Sequence, residues 1–337
     1  MNPVIRNQRL VFADFTKLFA MFAVTWGHCA QSLSGQTFPG LFGKPGILIA
    51  FHMPLFMMIS GYFIHPESIR KKSCPAYILE KFQRLAVPAM AWYVCFCLLT
   101  IQKPHLTGLY GFYWFLTSMF ISQVLISIIV KLNKGDHLLL YLCFVIIVVF
   151  LPFSSFLHVN FMFPLMMGGY IFRRATQQLN GGKLAVCTIA LFVFSVILFY
   201  YWDVRHSVYI TPFDSLHFSE ESLHSLFLRL ATGFVISSFF ILLLMSADKL
   251  PMIQRLSQYG KYTLVMYTAS FIFNKWTDIF LSHIHVRFTQ AGLLEMSSCI
   301  LCIMVCVLCV MLAKMLEKNE TTKRLLLGIS RPSTISQ

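Results

Sequence analysis

Apolar runs recur along the whole chain, each about as long as a bilayer is thick and each closed by a short polar or basic stretch. A run of roughly 17–25 predominantly apolar residues crosses the hydrocarbon core as a helix. Ten segments fit that description: 11–33, 47–65, 85–102, 110–130, 138–153, 159–172, 184–202, 223–247, 257–280 and 291–314. The sixth is short and holds Pro164 and Gly168-Gly169, which predicts a broken or tilted helix. The expected fold class is all-α, a polytopic membrane bundle of about ten transmembrane helices.

Composition supports the pattern. Hydrophobic residues make up 57% of the 337 and charged residues only 12%, about half the charge of a soluble domain. Too little polar surface remains to cover a water-soluble globule. The first run carries internal charges and is too long for a signal-peptide core, so it reads as a retained first helix. Residues 1–316 are expected to form one transmembrane domain, and 317–337 a short basic cytoplasmic tail.

Charge then sets the orientation. If the N-terminus is inside, twenty of the 27 Lys and Arg residues fall in cytoplasmic segments. Four (Lys44, Lys103, Arg205 and Arg287) fall in outer loops, and Lys17, Arg229 and Lys275 lie within spans. That asymmetry predicts both termini in the cytoplasm. It also accounts for the net charge of +14 without nucleic acid as a partner.

The polar residues inside the spans are the candidates for chemistry, because burying each one in lipid is costly. Asp14, Lys17, Met21 and His28 fall within one sector of about 60° on a helix, a single polar stripe that faces the bundle interior. Asp14 and Lys17 are spaced to form an ion pair. His28 lies about 16 Å farther along the axis, so the stripe serves two purposes at two depths. His52 in the second span sits at the depth of His28, about 8 Å below the outer boundary. Arg229 enters from the outside to a similar depth, and Trp114 lies slightly shallower. Each residue also has a plainer reading. The histidines could bridge helices, Lys81 and Arg84 could be topology anchors, Arg229 could pair with Glu220 or Glu221, and Trp114 could belong to an aromatic belt.

Cys299, Cys302, Cys306 and Cys309 mimic a metal-binding pattern. One continuous helix does not wrap four thiolates around an ion, so this is a packing stripe and no metal site is expected. No P-loop, GxSxG or HExxH motif appears.

"RLVFADFTKLFAMFAVTWGH", then "AFHMPLFMMISGYF" and "EKFQRLAVP", together resemble membrane acyltransferase family 3, closest to its fucose 4-O-acetylase-like branch. "WFL" at 114–116, "FPLMMGGYIF" at 163–172 and "YGKYTLVMYTAS" at 259–270 follow in the family's order. The resemblance implies an acyltransferase acting on groups other than aminoacyl groups, in a bacterial cell membrane. It would move an acyl group, commonly acetyl, from a coenzyme A thioester to a hydroxyl of an extracytoplasmic glycan or glycolipid. It also implies a catalytic histidine on the first helix, which matches His28. The family's basic residue eleven positions earlier is Lys17 here. Its Arg-x-x-Arg element reads Lys81-Phe-Gln-Arg84, and Ser270 stands where many members have histidine.

On that reading His28 removes the hydroxyl proton, and His52 orients His28 or the acceptor. Lys81, Arg84 and Lys17 bind the phosphates of acetyl-CoA. Trp114 or Arg229 holds the sugar or the oxyanion. The distance from Lys17 to His28 is comparable to an extended pantetheine arm. A transient acyl-histidine is also compatible with these residues. The competing class is a transporter or exporter of a lipid-linked glycan, which would share the spans and the buried charges.

Overall fold

The computed structural model describes residues 10–329, except 106, 107, 109, 110, 112, 153, 154 and 180. Arg6, Arg9, Arg331, the end of the tail and a few residues of the fourth and fifth predicted spans lie outside that set. The helices in chain order are α1 (Val11–Ser34), α2 (His52–Tyr62), α3 (Pro66–Arg70), α4 (Cys74–Lys81), α5 (Val87–Thr100), α6 (Trp114–Leu132) and α7 (Leu138–Phe150). They continue with α8 (Val159–Thr176), α9 (Gly181–Tyr201), α10 (Glu220–Ser246), α11 (Pro251–Ser257), α12 (Thr263–His283), α13 (Leu293–Leu316) and α14 (Glu320–Leu327). Among the described residues the only sheet is a two-residue hairpin pairing Gly40–Leu41 with Lys44–Pro45.

Each of the ten predicted segments overlaps a helix. Five helical stretches are long and apolar enough to cross a membrane: Cys74–Thr100, Trp114–Leu132, Gly181–Tyr201, Glu220–Ser246 and Leu293–Leu316. The protein is therefore helical and of multi-pass membrane type.

Some boundaries differ from expectation. The third segment starts at Cys74 rather than 85. Ser73 caps the helix, and a π-helical turn at Phe82–Ala86 carries it unbroken through Lys81 and Arg84 into α5. The second segment is divided at Phe51, with a 3₁₀ turn before it and α2 after it. The sixth is continuous, because α8 runs straight through Pro164. Its glycines serve packing instead. A Cβ on Gly169 would lie 2.0 Å from the Met58 carbonyl oxygen, and one on Gly61 would lie 1.7 Å from that of Met166. Two reciprocal glycines thus let α2 and α8 cross backbone to backbone, as small residues do between membrane helices.

α1 is the central stave, packed against α2, α10, α11, α12 and α13. Its buried Ala20, Ala23, Cys29 and Ala30 keep those neighbours close. Trp26 donates to Ser298 of α13 at 2.8 Å, and Cys302 of the cysteine stripe lies against the Phe22 carbonyl. Only 6% of the apolar window of α9 is buried, which puts that helix on the lipid-facing rim.

Basic loops gather at one end of the bundle. Arg70 donates to Val130 and Asn133, Arg173 to Tyr62 and Ile64, Arg174 pairs with Asp136, and Lys261 pairs with Glu317. The opposite end holds the hairpin, the 203–219 loop and the turn in which Phe288 bonds the Leu33 carbonyl.

Candidate active site

At the basic end a cavity of 540 Å³ opens between α1, α2, the π-helical turn before α5, α6 and α12. Asp14, Lys17, Arg84 and Lys261 line its outer part, and Val24, Met53, Phe115 and Tyr267 line its inner wall. Along α1 it follows the stripe from Asp14 to Val24, about 15 Å. Asp14 is buried and pairs with Lys17 at 3.6 Å, as the spacing predicted.

Arg84 and Lys81 part company. Three residues apart on a regular α-helix they would share a face. In the π-helical turn that follows Lys81 the register shifts, and such turns often occur at functional sites. Arg84 enters the cavity and pairs with Glu80 at 3.3 Å. Lys81 lies 5.0 Å over the ring of Tyr77 and does not line the cavity. Lys261, a cation that sequence reasoning counted only as an inner-loop charge, takes the place expected for Lys81.

The C-terminal segment closes the same mouth. The Leu326 carbonyl accepts from the Trp92 indole at 2.9 Å, and Leu327 is buried. Gly328, at φ 64°, sits where a Cβ would meet the Arg84 carbonyl oxygen at 2.6 Å. Gly328 and Ile329 then line the cavity. The first residues of the expected tail are thus a docked helix and part of the cavity wall.

His28 lies one turn beyond Val24, about 6 Å past the last residue of α1 that lines the cavity. Its ring packs 4.9 Å from Phe271, which packs 5.5 Å from the cavity-lining Tyr267. Its Nδ1 is 2.7 Å from Oε1 of Gln31, whose Nε2 donates to the Thr37 carbonyl at 2.6 Å. That second bond fixes the amide so that its oxygen faces the histidine. Nδ1 must then carry the proton, which leaves the lone pair on Nε2. The spacing His28-x-x-Gln31 was visible in the sequence, but Gln31 was overlooked. His52 is buried and bonds through Nδ1 to the Leu48 carbonyl, giving the same tautomer. Met53, beside His52 in the chain, lines the cavity. Ser270 is turned to its own helix, bonding the Tyr267 carbonyl at 3.1 Å.

A second cluster lies toward the other end and joins Trp114 with Arg229. The Trp114 ring is 5.0 Å from His158 and 6.1 Å from Tyr209. Arg229 donates to the Thr211 carbonyl at 3.3 Å and lies 5.5 Å over the ring of Phe161. No ion pair links it to Glu220 or Glu221, which stay exposed at the start of α10. His158, another residue missed in the sequence, is held by a strained turn. Leu157 and His158 both adopt left-handed backbone angles, φ 54° and 57°, a cost of order 1–3 kcal/mol each that persists only where surrounding structure demands it. Burial pushes the His158 imidazole down to about 4, and the Arg229 charge pushes the same way. His158 is therefore neutral near neutral pH.

The model of the acyltransferase domain family, acyltransferase 3, matches residues 10–327. Two nodulation proteins NolL are similar to parts of the chain. That of Mesorhizobium japonicum is 30% identical over 148 residues, 39% of each chain. That of Sinorhizobium fredii is 24% identical over 189 residues, 51% of each chain. The chain spans about half or less of the length of these curated relatives. No solved structure matches it. With nearly the whole described length accounted for by one family model, the chain belongs to acyltransferase family 3.

Proposed function

We propose that the protein is a membrane O-acetyltransferase of the fucose 4-O-acetylase-like branch. It takes acetyl-CoA at a cytoplasmic basic end and transfers acetyl to a hydroxyl of a cell-surface glycan or glycolipid at the other end. The ten-span arrangement with both termini inside belongs to this proposal, as does residence in the cell membrane. One observation carries the reading: a cavity with three cations at its mouth runs along α1 to within one turn of a histidine whose Nδ1 is held by Gln31, which leaves Nε2 for the substrate.

In this reaction Lys17, Arg84 and Lys261 hold the donor's phosphates, and the narrow apolar part of the cavity receives its arm. The acceptor oxygen attacks the thioester carbon while its proton passes to Nε2 of His28. Gln31 keeps the imidazole oriented and accepts a bond from the cationic Nδ1–H that results. The carbon–sulfur bond then breaks, and the thiolate leaves with the proton that His28 returns. His52, with its own Nε2 lone pair, orients the acceptor hydroxyl, and Trp114 and Arg229 bind the rest of the acceptor.

Purified protein in detergent, given acetyl-radiolabelled CoA, should hydrolyse the thioester slowly or transfer the label. His28→Gln should lose about 10²–10⁴-fold in rate with donor binding kept. Donor binding without any turnover in the unaltered protein would point instead to a carrier. Near-normal turnover in His28→Gln would make His28 a helix-bridging group.

A further inference from the structure

The outer cluster contains a buried charge that no described residue neutralises. Arg229 is only 3% exposed and sits nine residues into α10, roughly 13 Å along the helix from Glu220. One Nη donates to the Thr211 carbonyl, while Nε has no partner among the described residues. All 13 Asp and Glu residues are described, and none forms an ion pair with Arg229. The acids nearest in the chain are otherwise engaged or turned away. Asp203 pairs with Arg205, Asp214 pairs with His217, and Glu220 and Glu221 face solvent.

A guanidinium stripped of water and left without a counter-ion is among the costliest arrangements a protein can hold. It becomes favourable when a ligand brings the opposite charge. The surroundings suit such a ligand. His158 is uncharged, so Arg229 is the fixed positive charge of the cluster. Its free Nε–H and remaining Nη–H groups form a fork that matches two oxygens of a carboxylate or a phosphate. Trp114 and Tyr209 supply ring faces of the size of a sugar, and Tyr209 is 48% exposed at the outer end.

We propose that Arg229 receives an anionic group on the acceptor, so that the sugar acetylated here is acidic, bearing a carboxylate or a phosphate, with its ring against Trp114 and Tyr209. This rests on the acceptor side of the function proposed above and narrows its substrate class from glycans in general to charged ones. A neutral sugar would leave Arg229 as unpaired in the complex as it is without ligand. The direction of selectivity follows from the guanidinium alone, whichever hydroxyl is acetylated.

The test is thermal stability of the purified full-length protein, titrated with D-glucuronate, inorganic phosphate or D-glucose against potassium chloride at matched ionic strength. A saturable rise in Tm with at least one of the two anions, larger than with glucose, is expected. Response to glucuronate alone assigns a carboxylate sugar, and response to phosphate alone assigns a phosphorylated one. Arg229→Gln should weaken the response roughly ten- to hundredfold, the worth of a charge-assisted hydrogen bond. Arg229→Lys, which keeps the charge and the fold but loses the fork, should fall between. No saturable response to either anion, or an unchanged response in both variants, overturns the proposal and leaves Arg229 as a cap on the Thr211 carbonyl. Acetyl-CoA hydrolysis by the unaltered protein is measured in the same samples. Hydrolysis without an anion response sinks only the acidic acceptor, whereas an anion response without thioester cleavage sinks the acetyltransferase reading.

Discussion

Replacing Arg84 and Lys81 one at a time separates what the sequence presents as a single basic element. Arg84 lines the cavity with its side chain 50% exposed, paired at one nitrogen with Glu80. A hydrogen bond to a charged group contributes about 1.5–3 kcal/mol. With half the guanidinium in solvent and a carboxylate competing for it, the lower end applies, about 1–1.5 kcal/mol. Arg84→Ala should therefore weaken CoA binding roughly tenfold. Lys81 rests on Tyr77 outside the cavity, so Lys81→Ala should change affinity by less than about twofold, within the usual range of a surface substitution. Neither change touches the reacting atoms, so kcat at saturating donor should stay near that of the unaltered enzyme. Titration calorimetry of CoA on protein in nanodiscs gives the affinities, and steady-state release of free thiol gives kcat. Equal weakening by the two substitutions would show that Lys81 swings into the donor site and that the π-helical turn has no role in sorting them. No effect from Arg84→Ala would remove the cationic mouth from the donor site.

Three further outcomes follow from the geometry. Gln31→Ala should lower kcat by a part of the roughly 10²–10⁴-fold that a general base supplies, with donor KM unchanged; a change in KM alone would contradict its role in orienting His28. Gly169→Ala should lower the Tm in detergent sharply, because its Cβ would lie 2.0 Å from a carbonyl oxygen and overpacking costs about 1–3 kcal/mol or more. Gly40→Ala, with open space around it, is the neutral control. Burial pushes the Glu317 carboxyl up, but bonds from Lys261 and Tyr262 outweigh it and hold it below its ordinary 4.5. A depressed carboxyl stabilises above its unfolded value and loses that contribution as pH falls through the folded one. Hydrogen exchange in α14 should therefore rise as pH drops below about 4.5, and an unchanged profile in Glu317→Gln would show that another contact holds the helix.

The hydrophobic pattern located each long apolar helix, because burial in lipid or core demands an apolar run whatever its neighbours are, but not the short α3, α4 and α14. It also placed Lys17 and His28 on one stripe, since that requires only helical periodicity. What escaped was tertiary. Lys261 looked like one more inner-loop cation until the 3₁₀ turn at Gln258–Tyr262 brought it to the cavity. His158 and Tyr209 lie in loops far apart in sequence and meet only around Trp114. The resemblance groups Lys81 with Arg84 in one basic element, and the π-helical turn that follows Lys81 brings only Arg84 of the two to the cavity. Pro164 and the glycine pair point in the sequence to a broken or tilted helix, yet α8 is continuous with Pro164 as its sixth residue.

The two polar clusters stand on opposite sides of one aromatic wall. Tyr267 and Phe115 close the inner part of the donor cavity. Behind them Tyr113 and Phe271 pack at 5.7 Å, and Trp114 packs at 5.9 Å on Phe115. His28 lies against Phe271. Such a partition suits transfer between a polyanionic donor and a second charged molecule. Under the proposed function each charge stays at its own end, on its own cations, and only an uncharged thioester and a hydroxyl need to meet at the wall. α1 sets the spacing for both. As one unbroken helix of 24 residues it carries Asp14 and Lys17 at the donor mouth and His28 beyond the wall. Deleting a single residue between Lys17 and His28 would turn one site about 100° away from the other. Under the proposed function, this one rigid element holds the donor's anchor, Lys17, and the base, His28, in a fixed register.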